Sequence, residues 1–167
     1  MGLSAELGSA TVRERLASRY DVDLRAFHLG KGRALFERAG AALLTWRHFQ
    51  VPWVEFHHAG PAALGQGVAS VVSFAGVWFL NPCRVVYIEP EREDVVAFAY
   101  GTLRGHVESG EERFEVSFER ATQDVVYRLC AFSRPALLAT KLGYPFARRV
   151  QARFAADSAR ALAQAST

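Results

Sequence analysis

The feature that most constrains this chain is a change of period. From residue 53 to residue 132 it reads as six strand-length segments with turn signals between them, at the spacing of an antiparallel meander. The segments are 53–57, 66–74, 84–89, 94–106, 111–120 and 124–132, with turns at 59–65, 75–82, 89–94, 108–110 and 120–123. After Ser133, Arg134 and Pro135 the period becomes helical and holds to the end, broken only near Gly143, Tyr144 and Pro145. In that last segment Phe146, Val150, Phe154, Ala161 and Leu162 line one side, with Arg148, Arg149, Arg153 and Arg160 spread over the rest. A sheet with one apolar face and a long helix with one apolar stripe each need a partner, and each supplies it to the other.

Upstream, residues 24–29 alternate and predict a first strand ending at Gly30 and Gly32. From Arg33, Phe36, Ala39, Leu43 and Trp46 fall at helical spacing, predicting an amphipathic helix to about His48. Residues 4–19 suggest a short helix with poor apolar spacing. The expected fold class is α+β: a curved antiparallel sheet of about seven strands wrapped around a long C-terminal helix, with room for a cavity between them.

Composition narrows the class. The chain has 167 residues, half of them apolar, and no linker or repeat interrupts it, so one domain over 1–167 is expected, with 1–20 as an extension or short helix. A chain of this size hides roughly 70% of its unfolded surface and needs no disulfide or metal to hold a core. Twelve Phe with a net charge of +3 exclude disorder. The longest mostly apolar run, 68–80, is too short to span a bilayer, and the start lacks the basic flank and apolar stretch of a secretory signal. The expectation is a cytoplasmic protein without a membrane span. Cys83 and Cys130 stand alone in apolar runs, as reduced, buried thiols do.

A pI near 9.1 invites a nucleic-acid reading, but the charge is divided. Residues 51–133 carry six Arg and eleven acids, net −5; residues 134–167 carry five Arg, one Lys and one Asp, net +5. Two halves that neutralise each other leave few cations for phosphates, so no nucleic-acid partner is expected.

The stretch 99–119, AYGTLRGHVESGEERFEVSFE, carries the most functional information. A three-residue loop of Glu108, Ser109 and Gly110 suits a type I turn followed by a residue of positive φ, which Gly supplies. That loop sets Val107 opposite Glu111, His106 opposite Glu112, Arg104 opposite Phe114, Thr102 opposite Val116 and Tyr100 opposite Phe118. Because Phe114, Val116 and Phe118 face the core, Tyr100, Thr102, Arg104, His106 and Glu112 face inward too, with Arg104 pairing Glu112. A four-residue loop reverses this and puts Ala97, Ala99, Gly101 and Leu103 inside.

These residues also carry a resemblance. GKGRALFERAGAALLTW (30–46), NPCRVVYIEP (81–90), YGTLRGHVESGEERFEV (100–116) and AFSRPALLATKLGYPFARRVQARF (131–154) resemble the bacterial and plant family called domain of unknown function nineteen-ninety. The likeness runs from about Tyr20 onward. It departs at the start, where the family tends to place a Gly shortly after a Tyr and this chain has Asp21, Val22 and Asp23. In element order the family is similar to the START-like and polyketide-cyclase-like helix-grip proteins, whose cavity holds lipids or other apolar ligands. What the resemblance implies is a fold and a cavity; a shared fold is only an analogy for function.

Each candidate site has a plainer alternative. Gly30, Lys31 and Gly32 lack the remainder of a phosphate loop and read as a strand-to-helix turn. His106, Glu108, Glu111 and Glu112 contain a metal-type donor set, but Glu108 and Glu111 fall in the expected turn, so no metal and no cofactor are expected. Ser133 and Arg134 could hold an anionic head group, or Ser133 could cap a helix starting at Pro135.

Three functions follow. The leading one is a binding protein, not an enzyme, for a small hydrophobic or amphipathic molecule held between sheet and helix. Tyr100, Thr102, Arg104, His106, Glu112, Ser133 and Arg134 would meet its polar part, and Phe98 and Phe114 its body. The second is a cyclase- or hydrolase-type enzyme with His106 as general base and Glu112 beside it; no GxSxG or HExxH motif is present. The third is an interaction module such as a homodimer, whose interior is filled by its own side chains.

Overall fold

The computed structural model describes residues 4, 14, 17–74, 76–89, 93–135 and 144–167. Among these, seven strands form one antiparallel sheet in the order β1-β7-β6-β5-β4-β3-β2. They are β1 (Asp21–Lys31), β2 (Val54–His57), β3 (Gly67–Phe74), β4 (Val77–Ile88), β5 (Val95–Thr102), β6 (Glu108–Glu119) and β7 (Asp124–Pro135). β2 to β7 form the expected meander, and β1 pairs with β7. Helix α1 (Arg33–Leu44) and a short 3-10 turn (Arg47–Phe49) link β1 to β2, and α2 (Tyr144–Ala165) packs against that turn, β1 and β7. The class is α+β, as the change of period predicts. The suggested helix at 4–19 lies largely outside the described residues, as does Phe146's side chain.

The core sits between the sheet and both helices. Phe36, Ala39 and Leu43 of α1 are buried, as are Ala155, Ala159 and Leu162 of α2. Trp46 packs edge-on to Phe98 at 4.8 Å between ring centroids, and Phe98, Phe114 and Tyr127 close the interior beneath them. The Tyr127 hydroxyl is satisfied by Ser158 Oγ at 2.8 Å. Gly30, with φ 146°, is the penultimate residue of β1: a Cβ there would stand 2.7 Å from the Leu35 side chain. The Gly30–Gly32 segment is a strand-to-helix turn, and Lys31 pairs with Asp124 at 3.4 Å. Of the expected attraction between the terminal helix and the sheet, the described ion pairs include Arg148 with Asp23 at 3.5 Å, whereas Arg153 and Arg160 pair with Asp157 of their own helix.

The hairpin register differs from the expected one. Tyr100 pairs with Glu112 and Phe98 with Phe114; the connection is Leu103–Val107, and Glu108, Ser109 and Gly110 lie inside β6. The positive φ is supplied by Gly105, at 95°. Gly110 answers a different demand, since a Cβ there would lie 2.0 Å from the Phe132 carbonyl oxygen and 2.7 Å from Ser133 Cα of β7. The pairing is displaced by six residues, an even number, so the facing of the strands survives: Tyr100 and Thr102 still share a side with Phe114. Ala97 and Ala99 take the convex side, opposite Glu115 and Arg113.

Two more expectations are corrected. Residues 77–82 are strand, with Phe74 paired to Val77; Pro82, which has no N–H to give, sits where the ladder to β5 begins and contributes only its carbonyl, accepting the Leu103 N–H at 2.9 Å. Ser133 does not cap a helix at Pro135, because 133–135 continue β7 opposite 108–110.

The convex side carries a buried polar cluster. Arg113 bonds Glu89 at 2.5 Å, Glu115 at 2.8 Å and the Tyr87 hydroxyl at 3.3 Å. Ser4 joins it, its N–H and Oγ donating to Glu111 Oε1 at 2.8 and 2.5 Å. Glu111 is therefore buried in a strand, not solvated in a turn. No helix among the described residues is long and apolar enough to cross a membrane.

Candidate functional site

Where β5, β6 and β7 curl away from the first half of α2, a cavity of about 520 Å³ remains. Among the described residues the side chains do not fill this interior, although Phe36, Trp46, Phe114 and Phe118 do fill its far end. The body of the cavity is apolar, with Phe49, Val54, Val72, Leu129, Phe132 and Phe154 on its walls. This size and lining suit a small molecule with a few polar contacts.

The polar wall is built from the hairpin. The Tyr100 hydroxyl donates to Glu112 Oε2 at 2.8 Å across directly paired residues. Glu112 opens onto the cavity and is otherwise enclosed by protein; burial raises its pKa to about 7, with the Tyr100 hydrogen bond pulling down and Glu108 and Asp23 pushing up. Thr102 Oγ1 accepts from the Gly110 N–H at 3.1 Å, so it is tied to the backbone.

His106, from the loop, turns into the cavity, and burial lowers its pKa to about 4. Its Nδ1 accepts the Glu108 N–H at 2.9 Å. A neutral ring whose Nδ1 accepts must carry its proton on Nε2, so His106 offers a donor. Glu108, expected in a solvated turn, is buried on this wall, where Gln151 Nε2 of α2 donates to its two oxygens at 2.9 and 2.8 Å. Burial raises its pKa, the Ser133 hydroxyl pulling the other way.

The expected set is therefore divided. Tyr100, Thr102, His106, Glu112 and Ser133 line the cavity. Arg104 is exposed in the loop, and Glu112 bonds Tyr100 in its place. Arg134 is exposed, its guanidinium 5.4 Å from the Tyr20 ring centroid. Phe98 and Phe114 are fully buried and belong to the core below the cavity. Sequence reasoning sets Glu108 aside as a turn residue and misses Gln151 and Arg148; the regular spacing of 148 and 151 on a helix with Val150 and Phe154 is the available signal. Among the described residues, no three His, Cys, Asp or Glu converge in a metal-binding group. Both cysteines are free, and burial pushes both thiols up.

Comparison with known proteins places this arrangement. Residues 4–161 match the family described as domain of unknown function (DUF1990), and the chain belongs to that family. A UPF0548 protein of Dictyostelium discoideum is 37% identical over 152 residues, covering 84% of this chain and 70% of that one. Among solved structures, the Zhui aromatase/cyclase of Streptomyces sp. R1128 superposes with a TM-score of 0.64 at 14% identity, over 89% of this chain and 94% of that one. Norcoclaurine synthase of Thalictrum flavum gives 0.60 at 9%, over 87% and 94%. At these identities the likeness is one of fold: the curled sheet and C-terminal helix of the helix-grip proteins.

Proposed function

We propose that this member of the DUF1990 family encloses a small, largely apolar molecule whose polar end meets Glu112, His106 and Tyr100. The observation that carries the reading is the cavity of about 520 Å³, mostly apolar, with Tyr100, His106, Glu108 and Glu112 clustered on the hairpin wall. An enclosed apolar surface of this extent favours an apolar occupant over water, and the polar wall orients it. His106 Nε2–H donates to the ligand, whereas Glu112, titrating near neutrality, accepts when ionised and donates when protonated. A hydroxyl or carbonyl at the end of an apolar body fits those partners. The test is native mass spectrometry of gently purified protein followed by displacement of an apolar fluorescent dye. A bound small molecule, or saturable dye binding at one site, supports the reading; neither being found overturns it.

A second reading is supported by Glu112. Its carboxyl, raised to about 7, has the protonation behaviour of a general acid or base, and two proteins of similar fold are described as a cyclase and a synthase. Here Glu112, not His106, is the base, because the His106 Nδ1 lone pair already accepts the Glu108 N–H. Turnover of any bound molecule that disappears in Glu112→Gln with binding retained supports catalysis.

A further inference from the structure

The β3–β4 hairpin projects beyond its sheet. β2 pairs with β3 only through Val72, and β5 pairs with β4 only from Cys83 onward, so among the described residues the tip stands as a two-stranded ribbon with no strand on either edge. Its β4 strand opens with Val77, Trp78, Phe79 and Leu80, which are 53%, 66%, 38% and 56% exposed. Successive strand residues point to opposite sides, so both faces of the ribbon are apolar. From Val68 to Cys83 the sequence holds no charged residue. Contiguous exposed apolar surface of this kind marks an interaction site.

The surroundings say which kind. The register puts the start of β1, the end of β7, the β5–β6 loop and the start of α2 at the same end as the ribbon. Among the described residues there, Arg84, Arg104, Arg134 and Arg149 are exposed, against the acids Asp21 and Glu55, of which Glu55 pairs with His57 at 2.9 Å. A protein partner would be expected to cover one face of a ribbon. A bilayer interface surrounds both, favours Trp at headgroup depth, and attracts arginine when its lipids are anionic. Phe79 also lines the cavity, so the same ribbon borders the opening.

We propose that this end of the molecule docks on anionic phospholipid bilayers, residues 77–80 entering the interface while the arginines meet headgroup phosphates. Docking does not require that the cavity hold a ligand, so it stands or falls separately from that reading. The experiment is co-sedimentation of the full chain with phosphatidylcholine vesicles with and without phosphatidylserine, with tryptophan emission followed in parallel. Binding is expected only with phosphatidylserine, weakening with salt, and with a blue shift of emission that is absent in Trp78→Ser. The double variant Trp78→Ser/Leu80→Ser is expected to bind at least roughly tenfold more weakly, since two apolar side chains are lost from the interface, and Arg104→Glu several-fold more weakly. These exposed positions leave the fold intact, which circular dichroism checks. No vesicle binding, binding unchanged by the variants, or a chain that self-associates in solution through Trp78 and Leu80 would overturn the proposal, the last marking the ribbon as a contact between two copies.

Discussion

Tyr100 and Glu112 face each other across β5 and β6, and the Tyr100 hydroxyl donates to Glu112 Oε2 at 2.8 Å on the wall of the cavity. This pair joins the register of the hairpin to the chemistry of the site. A hydrogen bond to the ionised carboxylate favours ionisation, so removing the donor raises the pKa further. In Tyr100→Phe the Glu112 carboxyl is expected to titrate above its value of about 7, read by carbon NMR of labelled glutamate; an unchanged titration would deny the bond.

Glu112 also ties stability to pH. Its folded pKa of about 7 lies above the ordinary 4.5, so the native state holds the proton more tightly than the unfolded chain. The stabilisation is fully present below pH 4.5 and is lost as pH rises to 7, at up to about 1.4 kcal/mol per pH unit. Urea unfolding of Glu112→Gln across this interval is expected to lack that decline. Parallel curves for variant and parent would contradict the assignment.

His48 acts in the opposite direction. It is fully buried among Trp46, Phe49 and Phe114, neither ring nitrogen has a partner among the described residues, and burial lowers its pKa from 6.5 to about 3. The fold holds it neutral while the unfolded chain takes up a proton below 6.5, so its contribution is present above pH 6.5 and lost as pH falls toward 3. An unsatisfied buried N–H costs about 1–3 kcal/mol. His48→Phe is expected to shift the acid unfolding midpoint downward and to raise stability at pH 7, checked by denaturant melts at both pH values.

On the convex side, Arg113 is nearly inaccessible and serves Glu89, Glu115 and Tyr87. Removing Arg113 takes away the guanidinium that Glu89 and Glu115 share, and breaking a buried pair of this kind costs about 3–5 kcal/mol. Arg113→Met is expected to lose on the order of 3 kcal/mol in chemical denaturation; a loss below about 1 kcal/mol, the scale of an exposed pair, would show the cluster to be solvated.

Gly110 and Gly105 separate the two registers. At Gly110 an added methyl meets the backbone of β7 at 2.0 Å, whereas at Gly105 its nearest neighbour is Pro82 at 4.0 Å and only the positive φ opposes it. Gly110→Ala is expected to unfold the chain or cost more than about 3 kcal/mol, the range of severe core disruptions, and Gly105→Ala about 1 kcal/mol. The reverse ranking would restore the loop at 108–110.

The architecture was legible because it rests on periodicity. Phe114, Val116 and Phe118 alternate, Phe36, Ala39 and Leu43 recur at helical spacing, and each pattern met its element. The register was not legible, because two glycines five residues apart offer two plausible turns and only the neighbouring strand distinguishes them. A strand that contacts β7 at Gly110 cannot be recognised from β5 and β6 alone. Inward facing survives the displacement because it is even, so Tyr100 and Thr102 keep the side of Phe114, whereas Arg104 falls in the connection beyond the end of β5. The run 75–82 reads as a turn because Gly76, Asn81 and Pro82 punctuate it; that Pro82 stands where the ladder to β5 begins is a property of the sheet.

The account's central claim is that the hollow bounded by Glu112, His106 and α2 receives a molecule. Ala131 stands opposite Glu112 in β7 and lines that hollow, so a larger side chain there fills it from the sheet side. Fluorescence titration of an apolar dye into the parent protein and Ala131→Phe is the direct measurement. Saturable binding by the parent that is abolished in a variant with unchanged circular dichroism is the expected result; equal binding by both proteins would place the dye elsewhere and contradict the claim.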